Sequence, residues 1–429
     1  MKYDENTVYY DDTLMTYVRE NKDKTFQEYP FQDADALLLC QMAYPKLEYF
    51  VPKLSPSAEK ASKRIHAMGL SPKAIRAPWL KKEGRKSGRS IIEYVANIRR
   101  VKNPAAKSND KIKYRPPHQS LRTIGWKNMD TPSGREKLFG GSFYGKMYAD
   151  LFDEMKDSPR YGGICIELMR VMTDKEKVVQ FAAVTFRLDE ESAMVVFRGT
   201  DSSLIGWKED FKYSYLRSWP SHALAQEYLT AVAPLLPEKI YVGGHSKGGN
   251  LAVFAAAQAA PPIQSRIARV YNFDGMGFRP AFYRTEGYAG IRDKVCKLVP
   301  AESLIGMLFA PERGFRIVES YEHGFLQHDL MNWKIKEGKF VLQENFEKKH
   351  LRRINRLNRW IKSFTARERK ELIDLLFRSF GELLEKEGAQ TMVESGSPLK
   401  LVRQKVKAMT KAERDLFRRS LLRFALPRK

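Results

Sequence analysis

Tyr241-Val242-Gly243-Gly244-His245-Ser246-Lys247-Gly248-Gly249-Asn250 is the stretch on which the reading of this chain turns. Strong β-formers lead into it and Leu251-Ala252-Val253-Phe254-Ala255-Ala256-Ala257 follows, so a strand, a sharp turn and a buried helix are expected in succession, with G-x-S-x-G at the turn. Glycines at 244, 248 and 249 let the turn close and let the helix approach the strand without side-chain clashes. Ser246 would then project from the carboxyl end of a strand, above a helix amino end that favours negative charge. The plainer alternative is a serine that caps a helix after a glycine turn.

Outward from this stretch, residues 165–333 alternate short β-rich runs with helical ones. Ile164 to Met172, Val178 to Leu188 and Ala193 to Phe197, separated by polar turns, predict an antiparallel meander. Thereafter strand precedes helix: Lys239 to Gly243 before Asn250 to Ala260, Val270 to Phe273 before Pro280 to Tyr288, then Val295 to Val299. That order implies right-handed crossovers and a mostly parallel sheet covered by helices, an α/β sandwich.

A serine nucleophile needs a base, and in this topology the base follows an acid late in the chain. His66 and His118 lie in a basic stretch, His222 begins a helix before the serine, and His350 sits in a charged tail. His245 adjoins Ser246 with its side chain pointing elsewhere. This leaves His328, with His323 as runner-up, just before an expected strand from Asn332 to Ile335. The orienting acid should end a strand between serine and base. Asp274, in Asn272-Phe273-Asp274-Gly275, meets that description, with Glu302 and Asp293 as alternatives and helix capping as the plain role. Developing oxyanion charge needs donors: the backbone N–H of Lys247, and Thr200 in Phe197-Arg198-Gly199-Thr200-Asp201.

Composition narrows the class. Of 429 residues 43% are hydrophobic and 12% aromatic, which excludes a disordered chain. Cys40, Cys165 and Cys296 stand far apart and in no metal-ligand spacing, so neither a disulfide framework, a metal nor a cofactor is expected. The amino end is acidic and no run of apolar residues is long enough to span a bilayer, so a cytoplasmic location is expected. The formal charge of +24 is peripheral: Ser57 to Lys137 carries 21 Lys and Arg against 6 Asp and Glu, and Glu347 to Lys429 carries 23 against 10. The first stretch reads as an insertion with a short helix near Ser90 to Arg100. The second shows two capping boxes, Thr365-Ala366-Arg367-Glu368 and Thr410-Lys411-Ala412-Glu413, and a stripe of Leu372, Leu375, Leu376 and Phe380 for burial.

Two segments also carry a resemblance. Phe197-Arg198-Gly199-Thr200 with Trp207 and Asp210, and Gly244-His245-Ser246-Lys247-Gly248-Gly249, are similar to the oxyanion strand and nucleophile elbow of class 3 (fungal-type) lipases. Lys after the serine, together with Asn272-Phe273-Asp274-Gly275, Ser303 to Leu308, Gln327-His328-Asp329 and the amino-terminal Thr25 to Leu37, resembles more closely the lipase-related Mbeg-like family of bacterial α/β-hydrolases. The resemblance implies an α/β-hydrolase fold and a serine hydrolase site with no substrate specified. One departure matters: where the lipases carry their catalytic aspartate, this chain has Ser303, which moves the expected acid to Asp274.

The expected organisation is a helical part of the hydrolase domain over 1–56, a basic insertion over 57–140, a catalytic core over 141–344 and a basic helical extension over 345–429. The expected function is an acyl hydrolase acting on an ester or lipid. The competing reading is a binding or scaffold protein on a hydrolase fold, whose basic flanks contact anionic lipid, nucleic acid or acidic protein. Nucleic acid is the weaker partner, since no reading helix, stacking module or zinc pattern accompanies the charge.

Overall fold

The computed structural model describes residues 7, 9–51, 53–54, 124–140, 142, 144–201, 203–216, 218–309, 314–394 and 398–425. Most of the basic insertion, with the helix expected near Ser90 to Arg100, His66 and His118, lies outside them.

Strands β1 (Ile124–Gly125), β2 (Cys165–Asp174), β3 (Val179–Arg187) and β4 (Ser192–Phe197) form the expected antiparallel meander. Parallel pairing then carries the sheet through β5 (Lys239–His245), β6 (Ile267–Phe273), β7 (Val295–Pro300) and β8 (Arg316–Val318). The short strands β9 (Ile335–Lys336) and β10 (Lys339–Phe340) form a separate hairpin, and β11 (Leu342–Gln343) closes the edge beside β8. The result is an α/β fold whose main sheet has nine strands among the described residues.

Alternation along the strands separates two apolar layers. Met194 and Val196 of β4 face helices α1 (Leu14–Asn21) and α2 (Asp33–Gln41), whereas Val195 and Phe197 face the opposite layer. Helix α2 is buried along almost its whole length, as its continuous Ala-Leu-Leu-Leu-Cys run requires. Its one buried charge, Asp35, is fully served: Arg160 Nε and Nη2 donate to it at 2.9 and 2.5 Å, the Tyr161 hydroxyl at 2.8 Å and the Gln32 N–H at 2.7 Å.

Residues 124–140, counted with the insertion from sequence, belong to this body. They supply β1 and helix α3 (Pro132–Phe139), and Trp126 is buried, stacked on Phe186 and edge-on to Phe152 of helix α4 (Gly145–Met155). The apolar residues Trp126, Met129, Leu138 and Phe139 decide this, against the basic average of the stretch.

Helices α5 (Leu204–Lys212), α6 (Pro220–Val232) and α7 (Lys247–Gln258) cover the second layer, followed by α8 (Pro261–Arg266). The helix expected over Pro280 to Tyr288 is only a 3-10 turn, Phe282–Arg284, and α9 (Glu286–Ala289), because Thr285 restarts the chain as an N-cap. The strand expected at Asn332 to Ile335 begins as a 3-10 turn, since Asn332 and Trp333 are tied to the carbonyls of Leu326 and Gln327 at 3.0 and 2.8 Å.

The tail forms α10 (Lys348–Lys362), α11 (Ala366–Glu394), α12 (Pro398–Ala408) and α13 (Lys411–Ala425), with both capping boxes made. Of the expected stripe, Leu372 and Leu375 are buried and Leu376 and Phe380 partly so, with Ile373 and Phe377 completing the face. Phe377 meets Phe211 of α5 at 5.6 Å. No helix among the described residues is long and apolar enough to cross a membrane.

Candidate active site

Register puts the site together. Phe197 at the end of β4 lies opposite Gly244 of β5, His245 opposite Phe273 of β6, and Phe273 opposite Leu298 of β7. The residues leaving the carboxyl ends of these strands therefore emerge side by side, the usual place for ligands in an open α/β sheet.

Ser246 follows β5 directly, at φ 57° and ψ −129°, a left-handed conformation unfavourable for a residue with a Cβ. The surroundings enforce it: the Ser246 N–H bonds the Phe273 carbonyl at 2.9 Å, and α7 begins at the next residue. A Cβ on Gly248 would collide with the Phe197 carbonyl, so glycine there is what lets α7 start against β4. Being first in α7, Lys247 has a backbone N–H without an intrahelical acceptor.

Asp274 leaves β6 at φ 49° and is 1% exposed. Its Oδ1 accepts from the Ser303 hydroxyl at 2.5 Å and the Gly306 N–H at 3.1 Å, and its Oδ2 accepts from His328 Nδ1 at 2.6 Å. With Nδ1 donating, Nε2 is the unprotonated nitrogen of neutral His328. Ser303, which follows β7, thus serves as a hydrogen-bond donor to a carboxylate from the neighbouring strand β6.

The alternatives lie elsewhere. Asp293 sits in the turn before β7, at the opposite end of that strand, with its side chain exposed. Glu302 accepts from the Gly324 N–H at 2.9 Å and faces the exposed His323 at 3.4 Å. His222 is buried against Asn250, and burial pushes its pKa down to about 4.

His245 is a brace. The Tyr44 hydroxyl donates to its Nδ1 at 2.9 Å, its Nε2–H donates to the His328 carbonyl at 2.9 Å, and the two imidazole centroids are 4.4 Å apart. Burial, and then the neighbouring His328, hold its pKa well below the ordinary value, which keeps the ring neutral.

Thr200 leaves β4 beside the elbow. A Cβ on the preceding Gly199 would collide with the Tyr44 hydroxyl and lie 3.3 Å from Ser246 Cβ, so the backbone here passes directly against the serine. The Thr200 hydroxyl donates to Asp210 Oδ2 at 2.5 Å, while the buried Asp210 Oδ1 has no partner among the described residues. Burial raises the Asp210 pKa to about 6, outweighing the opposing pull of Lys247 and of the Thr200 hydrogen bond. Its neighbour Glu209 is wholly buried and fully engaged: it accepts from Lys247 Nζ at 3.0 Å, the Gln180 N–H at 2.9 Å and the Ser221 hydroxyl at 2.6 Å. Two adjacent carboxylates on α5 therefore hold the two segments expected to supply oxyanion donors.

The Mbeg1-like family model matches residues 155–378, more than half of the chain. The chain belongs to the Mbeg1-like family. Its sequence resemblance implied as much, although the amino-terminal Thr25 to Leu37 lies outside the matched residues. Among solved structures this Mbeg1-like chain is similar to M37 lipase, at 14% identity over 48% of this chain and 77% of that one, with a TM-score of 0.28. It is also similar to the Rhizomucor miehei lipase of a propeptide complex, at 16% identity over 56% and 82%, again with a TM-score of 0.28. Among curated proteins none matches.

Reading the sequence missed three parts of this Mbeg1-like site: Tyr44, the hydroxyl partner role of Asp210, and the Glu209–Lys247 pair. Only the last had a usable signal. A lysine opening an otherwise apolar, buried helix must meet an acceptor, and Glu209 stands in the one α5 segment already singled out.

Proposed function

We propose that the chain is a serine hydrolase that cleaves acyl esters through Ser246, His328 and Asp274. The observation that carries this is the 2.6 Å contact between His328 Nδ1 and buried Asp274, with the His328 ring packed against the residue preceding a left-handed Ser246. His328 Nε2 takes the serine proton as Ser246 Oγ attacks the acyl carbonyl, and Asp274 stabilises the imidazolium. The tetrahedral oxyanion would be met by the N–H of Lys247 and by Thr200. On collapse the C–O bond to the leaving alcohol breaks, His328 returns the proton to it, and water then releases the acid from the acyl-serine by the same route in reverse.

At Thr200 the donor depends on Asp210. While that carboxylate is ionised, the hydroxyl proton is committed to it and the backbone N–H is the donor left. A proton on Asp210 can instead be donated to Thr200 Oγ1, which frees the hydroxyl for the oxyanion. Phe325 and Leu326, each about half exposed and with the Phe325 ring 5.7 Å from that of His328, favour an apolar acyl group.

A fluorophosphonate probe should label the wild type and not Ser246→Ala, and a series of p-nitrophenyl esters of rising chain length should be turned over only by the wild type. A folded wild type that resists several such probes would overturn the reading.

A further inference from the structure

Helix α10 braces the loop that follows β7 with its inner face. His350 Nε2 donates to the Ser303 carbonyl at 3.0 Å, and Asn358 bonds both the Met307 carbonyl and the Phe309 N–H at 2.9 Å. Its outer face is of a different kind. The helix carries three lysines and four arginines and no acidic residue, and all seven cations are exposed. At 100° per residue they fall within one half of the circumference, while His350 and Ile354 occupy the buried half. Arg352, Arg356 and Arg359 run along the middle of the arc, successive turns apart.

Apolar surface adjoins these cations. Trp360, which lies on the helical wheel between Arg353 and Arg356, meets Phe424 of α13 edge-on at 5.8 Å, and its Nε1–H bonds the Ser420 carbonyl at 2.9 Å. At that end of α13, Leu421, Leu422 and Phe424 are 53, 60 and 41% exposed, next to exposed Arg418 and Arg419. A row of cations with no ion pair among the described residues repels itself and draws phosphate; exposed leucines beside it draw hydrocarbon. A bilayer offers both, phosphate in the headgroups and hydrocarbon just beneath. A nucleic-acid duplex offers phosphate to the arginines and nothing to Leu421 and Leu422.

We propose that the outer face of α10 and the exposed carboxyl-terminal end of α13 form a docking surface for an anionic phospholipid bilayer. Docking there is independent of the hydrolase reading, because it is measured without turnover.

The test uses the full chain with vesicles of phosphatidylcholine alone and of phosphatidylcholine mixed equally with phosphatidylglycerol, by co-sedimentation. The wild type should bind the mixed vesicles, less strongly as salt rises, and leave neutral vesicles free. Replacing Arg352, Arg356 and Arg359 by Ala should lower the partition coefficient at low salt by about 100-fold, roughly fivefold for each cation. L421S/L422S should weaken vesicle binding while leaving its salt dependence in place. Thermal melts of both variants should match the wild type, which separates lost docking from misfolding. The proposal fails if the triple variant binds mixed vesicles as the wild type does. It fails equally if L421S/L422S binds them undiminished, or if the wild type takes duplex DNA in preference to mixed vesicles.

Discussion

The two sides of the candidate site are provided for unequally. On one side Asp274 receives three donors, from His328, Ser303 and Gly306, so neither oxygen is left alone. On the other side Asp210 receives one, from Thr200, and its second oxygen is buried without a partner among the described residues. Donors that face a buried carboxylate favour its charged form, and with only one of them Asp210 takes up a proton near pH 6. Glu209, one residue from Asp210 on the same helix, shows that the difference lies in surroundings and not in the helix: a lysine, a hydroxyl and a backbone N–H serve it fully.

The largest expected consequence concerns the acid side. Asp274→Asn should lower kcat on a short-chain p-nitrophenyl ester by about 10⁴-fold, because an amide no longer holds the productive His328 tautomer. A loss within tenfold would break the contrast by making Asp274 merely structural.

Next in size is the lysine clamp. Lys247→Met removes the cation that faces the buried Glu209 carboxyl, and should cost about 3–5 kcal/mol in denaturant unfolding. Adding Glu209→Leu should recover much of that loss, since the penalty comes from the stranded carboxyl. A single variant as stable as the wild type would mean that the pair contributes nothing to the elbow.

Below pH 6 Thr200→Val should lower kcat by about 10²-fold, the range for removing one oxyanion donor, and above it by much less, because the backbone N–H of residue 200 remains. Its loss should grow as pH falls through about 6, because only a protonated Asp210 frees the hydroxyl. A loss independent of pH would show that the hydroxyl reaches the oxyanion without help from Asp210.

The smallest effect is a pH slope in stability. The Asp210 pKa is raised from 3.8 to about 6 in the fold, so between these values the folded state holds more protons than the unfolded chain. Its stabilising contribution is complete below pH 3.8 and is lost as pH rises through about 6. Thermal melts should therefore show Asp210→Asn gaining on the wild type between pH 4 and 6 and holding that gain above it. Parallel curves would place the proton elsewhere.

The elbow, the meander, the order of parallel strands and both tail capping boxes were readable because each rests on signals within about a dozen residues: periodicity, glycine turns and cap chemistry. The helix expected over Pro280 to Tyr288 was not, because a single hydroxyl at Thr285 outweighs the surrounding propensity. The boundary drawn at 140 from charge failed for a related reason. Net charge averages over a stretch, whereas burial of Trp126 and Leu138 is decided residue by residue.

The chain's local chemistry established which residue types stand at strand ends, that a serine terminates a β-run ahead of a buried helix, and that positive charge gathers at the flanks. Tertiary structure alone decided the partners. Asp274 and His328 are 54 residues apart, Lys247 and Gln180 are 67 apart, and Tyr44 reaches His245 across 201. These contacts depend on the register of β3 through β7, where a slip of one residue turns every side chain to the opposite face. No pattern within a segment encodes that register, because it is the packed sheet as a whole that selects it.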